Sequence, residues 1–439
     1  MSDLLQQVEQ SYLACKFKKN IHFLVGVSGG VDSIVLAHSL LQLKKNYPIQ
    51  ISVIYIDHQL NPRAKRWGQT VQKFANNNDV EFLCEKISIE NDLKLGIEGA
   101  ARKKRYEAFA KNKKDFLVLA HHEDDQFETL LLQLSRGAGL KGLSCMAELD
   151  ESRKIWRPLL GIPKTTITAY QQMHQLNFIE DDSNLNNQFD RNYIRNEVIP
   201  VIKKRFPLVA KNANRSVKHI ADHYLQQKDV IEQSYSQAIT EESSLRGDFI
   251  KELDDLNLTQ LIRFWLDEHQ ILMPSTRVMS QIIKQVRTLD SESNIKIKIQ
   301  HHTIQSYNQQ LFIVSDDVLN FPQLIWKDDD VIKLQQGHFI FFEKKMGEGL
   351  SKKLLEGGQV LISKPKSMSQ KLRIHDKQPS RDLKYLFQKH KVPTWERLGY
   401  PCIYIDNSLA AVIGIGINPE VQAKRNEMGY VITYKKPQQ

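Results

Sequence analysis

Ile21-His-Phe-Leu-Val-Gly-Val27, continuing as Ser28-Gly29-Gly30-Val31-Asp32-Ser33 into Ile34, is the stretch on which the fold turns. A β-branched apolar run ends at Val27, two residues without Cβ follow, and a helix-period stretch runs from Ile34 to Leu43. A strand, a glycine turn and a helix start in that order aim backbone N–H groups at a bound anion, and phosphate is the natural occupant. Ser28 and Ser33 add hydroxyl donors, and Val31 adds a main-chain donor. Asp32 either caps the helix or holds the magnesium that travels with a nucleotide.

Outward from this loop the same alternation repeats. Ile51 to Asp57 precedes a helix-period stretch from Arg63 to Asn77, Glu81 to Ile87 precedes Glu98 to Ala110, and Phe116 to Ala120 precedes Glu123 to Arg136. Strands alternating with helices predict an α/β fold built on a doubly wound parallel sheet, whose ligands bind at the carboxyl ends of the strands. From Pro207 the pattern becomes helical as far as Val286, and Ile295-Lys-Ile-Lys-Ile299 alternates with strand period. A mainly helical middle domain and a small β-rich C-terminal domain are expected. The boundaries read as 1–210 for the nucleotide domain, 211–320 for the middle domain, 321–357 for a strand-containing linker punctuated by glycines, and 358–439 for the terminal domain.

Composition narrows the classes. With 439 residues, 41% hydrophobic and 26% charged, the chain is of multidomain globular type, and no apolar run is long enough to span a membrane. The first 15 residues lack the pattern of a signal peptide, so a cytoplasmic protein is expected. Cys15, Cys84, Cys145 and Cys402 form no Cys-x-x-Cys pair, which argues against a disulfide framework, a zinc knuckle or an iron–sulfur site. The net charge is +10, and the segment from Gln359 to Gln439, with 14 basic and 6 acidic residues, carries +8 of it. That segment, with Tyr385, Phe387 and Trp395 among its lysines, is the candidate surface for a polyanion.

Two further stretches carry chemistry. In His121-His-Glu-Asp-Asp-Gln-Phe-Glu-Thr129, Phe127, Leu130, Leu131 and Leu134 recur at core spacing, while Asp125 and Glu128 project elsewhere. The two carboxylates suit a cation such as an ammonium group, or a proton taken from an amine; dipole capping is the bland alternative. Glu98, Arg102 and Arg105 share a helix face, either as a solvated charge stripe or with an arginine offered to a phosphate or carboxylate. Ile179-Glu-Asp-Asp-Ser-Asn184 and Asp190-Arg-Asn-Tyr-Ile-Arg195 are densely polar, with Arg191 and Arg195 adding to Arg157.

Ser-Gly-Gly-x-Asp-Ser resembles the phosphate loop of the ATP pyrophosphatase superfamily, which has the adenine nucleotide alpha-hydrolase-like fold and cleaves ATP between its α and β phosphates. Taken with Ile56-Asp-His58, Glu98-Gly-Ala-Ala-Arg102, His122-x-Asp-Asp-x-x-Glu-Thr129, Arg136-Gly-Ala-Gly139, Arg157-Pro-Leu-Leu160 and the run from Glu180 to Arg195, the first 210 residues resemble the tRNA(Ile)-lysidine synthase family. Val392-Pro-Thr-Trp-Glu-Arg397 and Leu409-Ala-Ala-Val-Ile413 resemble its terminal domain. The resemblance implies ligation of free lysine to the wobble cytidine of an isoleucine tRNA with a CAU anticodon, through an adenylated cytidine, with ATP and magnesium. It further implies ATP contacts from Ser28, Gly29, Gly30, Val31, Asp32, Ser33, Ile56 and His58. Catalysis would fall to Asp32, Arg102, Arg105, Asp125 and Glu128, lysine binding to the last two, and tRNA contacts to Arg157, Arg191 and Arg195. The oligomeric state stays open, a homodimer included. A tRNA thiolase, an ammonia-using synthetase and a catalytically silent tRNA-binding factor are the rival readings.

Overall fold

The computed structural model describes residues 3–59, 64–88, 96–179, 186–290, 293–316, 321–376 and 378–436; the side chains of residues 64, 65, 96–98 and 336 are also outside the description. The Glu180 to Asn184 part of the polar run and the Glu98 side chain therefore lie outside the described residues.

The first half forms a six-stranded sheet in the order β3-β2-β1-β4-β6-β5. Its strands are β1 (His22–Gly26), β2 (Gln50–Asp57), β3 (Glu81–Lys86), β4 (Phe116–Val118), β5 (Leu149–Asp150) and β6 (Ile155–Trp156). All neighbours pair in parallel except β5 with β6. Its principal helices are α1 (Asp3–Ala14), which precedes β1, and α2 (Val31–Lys44), α3 (Ala64–Asn77), α4 (Gly96–Lys111) and α5 (Glu123–Ser135), which follow β1 to β4 in turn. Strand period sorts the side chains between two cores. Phe23, Val25, Val53 and Tyr55 join the α2 residues Ile34, Val35 and Leu40 on one face, while Leu24, Ile54 and Ile56 join Ala108 and Phe109 of α4 on the other. Because both faces are covered, polar groups can emerge only at strand ends.

Strand order reverses between β1 and β4, so the crevice for a ligand opens at their carboxyl ends. The phosphate loop follows β1 and the His121 to Thr129 run follows β4. Sequence pattern alone placed both motifs on these two strands, and the sheet makes the strands neighbours through Phe23 with Phe116 and Val25 with Val118.

Contacts divide the chain into two compact units, Met1–Lys228 and Asp229–Gln439. The boundary expected after residue 210 falls inside a continuous helix, Val209–Tyr235, whose unbroken hydrogen bonding cannot serve as a linker. The second unit begins with helices Asp255–Glu268 and Thr276–Arg287 packed on an antiparallel sheet that includes Lys296–Ile299, His302–Tyr307 and Gln310–Ser315. The alternating lysines and isoleucines behave as read, with Ile297 and Ile299 buried and Lys296 and Lys298 exposed.

The segment 321–357 is not a linker. Phe339–Met346 pairs along its whole length with Met428–Lys435, and Ile340 and Phe342 are buried in the core of the terminal domain. Gly349 explains the misreading: its φ of +80° and the 2.0 Å between its would-be Cβ and the Tyr430 carbonyl require a glycine inside a tight strand crossing. The aromatics of the terminal segment also separate. Phe387 is buried, and the Trp395 ring lies 5.3 Å from Phe312 and 6.0 Å from Tyr307. Tyr385 alone of the three is exposed, with Arg381 over its ring at 5.2 Å.

Candidate active site

The loop after β1 is held by its own hydroxyls. Ser33 Oγ accepts from the Ser28 amide at 3.2 Å and donates to the Gly30 carbonyl at 2.9 Å, while Ser28 Oγ accepts from the Gly30 amide at 3.3 Å. Gly29 sits at φ +92°, a region L side chains avoid, and a Cβ there would meet Ile179 at 2.9 Å. Helix α2 starts after Gly30 without any side-chain cap, so the N–H groups of its first turn, Val31 to Ser33, are left for a ligand. Asp32 is not the cap. Its carboxylate turns to Lys164, with Nζ at 2.5 Å.

Opposite this loop, α5 carries the carboxylates. Its first turn is locked by a capping box: His122 Nδ1 accepts from the Asp124 amide at 3.3 Å, and Asp125 Oδ2 accepts from the His122 amide at 3.0 Å. The other ring nitrogen, Nε2, faces Asp125 Oδ2 at 3.5 Å and Asp32 Oδ2 at 3.7 Å. One imidazole thus links the phosphate loop to the carboxylate pair across the switch point. The capping expected as the bland alternative is present, with the Asp125 carboxylate closing the box.

Glu128 is 1% and Asp125 8% exposed, and buried carboxylates need partners. Two arginines from the helical segment after residue 190 supply them. Arg195 makes a two-pronged contact with Glu128, Nε to Oε1 at 2.5 Å and Nη2 to Oε2 at 2.8 Å, and reaches Asp125 Oδ1 at 3.1 Å. Arg191 Nε donates to Glu128 Oε2 at 2.8 Å and its Nη2 to Asp125 Oδ1 at 2.9 Å. The pair sits where a π-type turn, Ile194–Val198, interrupts the helix, a feature common at functional sites. Burial alone would raise the Asp125 pKa. His122, Arg191, His121 and the His122 amide outweigh it and hold it at about 2.

Most residues expected at the site are gathered here, in altered company. Ser28 to Ser33, Asp125, Glu128, Arg191 and Arg195 meet at one sheet edge. The two arginines bind the carboxylates, so their side chains are not freely offered to RNA. Ile56 is buried in the sheet core and His58 follows β2 at the same edge. Arg102 is exposed and stacks over Tyr106 at 5.4 Å; Arg105 approaches the same ring at 5.9 Å. Arg157, expected as a tRNA contact, is 1% exposed, so its guanidinium is not presented at the protein surface. Sequence reading missed Lys164 and Lys203, the partners of Asp32 and Asp124 at 2.5 and 2.6 Å. Both lie on exposed-looking helices, 132 and 79 residues from their partners, and no local pattern marks them.

Three family models match the chain: a PP-loop domain over residues 2–202, a TilS substrate binding domain over 250–312 and a TilS substrate C-terminal domain over 363–434. The tRNA(Ile)-lysidine synthase of Coxiella burnetii is 31% identical across 95% of this chain and 94% of its own length. The chain belongs to the tRNA(Ile)-lysidine synthase family. The Haemophilus influenzae relative is 31% identical across 94% of this chain and 98% of its own, and that of Nitrosomonas europaea 28% across 93% and 91%. As a member of this family the chain is an ATP-using ligase that forms a carbon–nitrogen bond. Among solved structures, the U34-tRNA thiolase NcsA from Methanococcus maripaludis aligns with a TM-score of 0.43 and 18% identity over 50% of this chain and 79% of that one, a likeness too slight to bear on substrate. No helix among the described residues is long and apolar enough to cross a membrane.

Proposed function

We propose that this chain ligates free lysine to the wobble cytidine of the CAU-anticodon isoleucine tRNA in the cytoplasm, by way of an adenylated cytidine, releasing AMP and pyrophosphate. The buried Asp125–Glu128 pair facing the phosphate loop across the β1/β4 crevice carries this reading. The loop supports the first half-reaction. A base carbonyl oxygen attacks the α-phosphate in line, and the first-turn N–H groups of α2 take up charge growing on the pyrophosphate. The carboxylates support the second: the amine arrives as a cation, gives up a proton to solvent and attacks the activated base carbon, so that the C–N bond forms as the C–O bond to AMP breaks.

Asp125, held ionised by the hydrogen bonds and charges of Arg191 and Arg195, is a weak proton acceptor but a strong anchor for an ammonium group. We therefore assign it to binding lysine. Arg191 and Arg195 keep the pair ionised and in place until the amine competes for it. Magnesium arriving with ATP would use Asp32 as its protein carboxylate, displacing Lys164, with phosphate oxygens completing the shell; a single carboxylate is a normal protein share for that ion. Among the described residues no cluster of three acidic, His or Cys side chains offers a cage independent of nucleotide.

The test is incubation with ATP, labelled lysine and isoleucine tRNA bearing the CAU anticodon. Label in the tRNA with stoichiometric AMP and pyrophosphate is expected. Pyrophosphate release indifferent to both lysine and tRNA would overturn the proposal.

A further inference from the structure

Four carboxylates at the sheet edge each have a cation: Asp32 has Lys164, Asp124 has Lys203, and Asp125 and Glu128 share two arginines. Arg157 is the converse case. It is 1% exposed, it has no carboxylate within ion-pair distance among the described residues, and its one well-formed side-chain hydrogen bond there runs from Nη1 to the Ala147 carbonyl at 2.8 Å, with the Tyr106 hydroxyl close enough to act on it. Asp150, the nearest acid to act on it, is taken by Arg153 at 2.5 Å. Its Nε is buried without a partner. So are the hydroxyl of Tyr106, which faces it, and Nδ1 of His121, which lies in its electrostatic range. Three orphaned polar atoms around one unpaired buried cation are costly in a protein interior unless a ligand completes them.

We infer that Arg157, Tyr106 and His121 form the receptor for the α-carboxylate of the free amino-acid substrate. This rests on the lysine-ligating reading above. The order of strands supports it. Strands about 4.8 Å apart place the end of β6, where Arg157 emerges, about 10 Å from the phosphate loop, with the end of β4 between them. Nucleotide phosphates, the ammonium site at Asp125 and the carboxylate site at Arg157 therefore follow one another along the edge. The α-ammonium and α-carboxylate of an amino acid are one carbon apart, so their receptors must be neighbours. His121 precedes the residue whose amide donates to Asp125 and follows β4, the strand beside β6, which puts it between the two. Burial drives His121 to about 3, so at neutral pH it adds a neutral hydrogen-bonding edge without another charge. ATP phosphate already has the loop, and RNA phosphate is separated from free lysine by the test below.

Lysinamide, which keeps both amines and replaces the carboxylate by a neutral amide, is the probe. With the full chain, ATP and tRNA, AMP formation should favour lysine over lysinamide by about a hundred-fold or more in kcat/KM, since a site built for a charged partner rejects the analogue that leaves it unpaired. Arg157→Gln should collapse that ratio to within a few-fold, chiefly through the KM for lysine, and Tyr106→Phe should lower it partially. Equal use of both amines by the unaltered protein would overturn the inference, and that comparison needs no folded variant. A lysine-to-lysinamide ratio unchanged in Arg157→Gln, whether overall activity falls or the KM for tRNA rises, would equally overturn it and leave a structural or RNA-binding arginine. Failure of the underlying reading looks different: no AMP appears with either amine.

Discussion

The crevice at the β1/β4 switch point and the terminal domain both carry much charge, and they hold it in opposite ways. In the crevice, Asp125, Glu128, Arg191 and Arg195 are interlocked, with the carboxylates nearly sealed from water. In the terminal domain, Lys384, Lys389 and Lys391 are exposed and make no ion pair among the described residues. Interlocked buried charge is sensitive to single atoms and indifferent to salt, because the low-dielectric surroundings leave ions no room to screen it. Open surface charge is the reverse: each group matters little, and all of it weakens as counterions accumulate. The first arrangement suits chemistry and the second suits retention of a large polyanion.

The sharpest way to break this contrast is to remove one charge from the interlocked set. Asp125→Asn should abolish lysine transfer, with a loss of about a thousand-fold or more, while nucleotide binding measured by equilibrium titration persists. Near-normal ligation by this variant would remove Asp125 from the site. Next in size, Arg195→Met leaves Glu128 with Arg191 alone. It should lower stability by about 1–2 kcal/mol, the cost of breaking a buried pair discounted for the part of Arg195 open to water. Denaturant titration reads this directly, and the loss should hardly change between low and high salt.

For the terminal domain the expected signature is the salt dependence itself. Replacing Lys384, Lys389 and Lys391 together by Ala should weaken tRNA binding at moderate salt and reduce the slope of log affinity against log salt by about 1 for each phosphate no longer neutralised. Ligation at saturating tRNA should be preserved. An unchanged slope would remove this surface from tRNA retention. Point changes are preferable to cutting the chain near residue 358, since Phe339–Met346 would lose its partner strand Met428–Lys435 and expose a long unpaired edge.

The two regions also differ in how far they were legible. Local order was readable wherever it depends on period: the β1 to α2 turn, the alternation of four strands with four helices, and the lysine–isoleucine strand at 296–299 all follow from residues adjacent in sequence. Pairings across the fold were not. Nothing near Arg195 says that its guanidinium meets a carboxylate 67 residues earlier, and nothing near Arg157 distinguishes a surface arginine from a buried one. The linker expectation failed for the same reason, since glycines that break local period are what a close strand crossing demands.

The smallest expected effect lies away from the crevice, on the far side of α2, and tests whether acid loosens the nucleotide domain independently of its site. His38 Nδ1 meets the Tyr170 hydroxyl at 2.9 Å, Gln42 Nε2 lies 3.2 Å from its Nε2, and its ring packs 4.9 Å from His174. Burial, helped by His174 and Lys45, pushes its pKa down to about 4, against about 6.5 for an unfolded histidine. Between these values the unfolded chain binds a proton that the folded chain refuses, so this histidine makes stability fall as pH drops from about 6.5 towards 4. His38→Gln keeps a hydrogen-bonding side chain and removes the titration. The variant should melt lower than the parent at pH 7.5 by a few degrees, with the gap narrowing towards pH 4.5. A gap that stays constant across that range would show that the fall in stability arises elsewhere, with the buried His121 of the crevice as the group to test next.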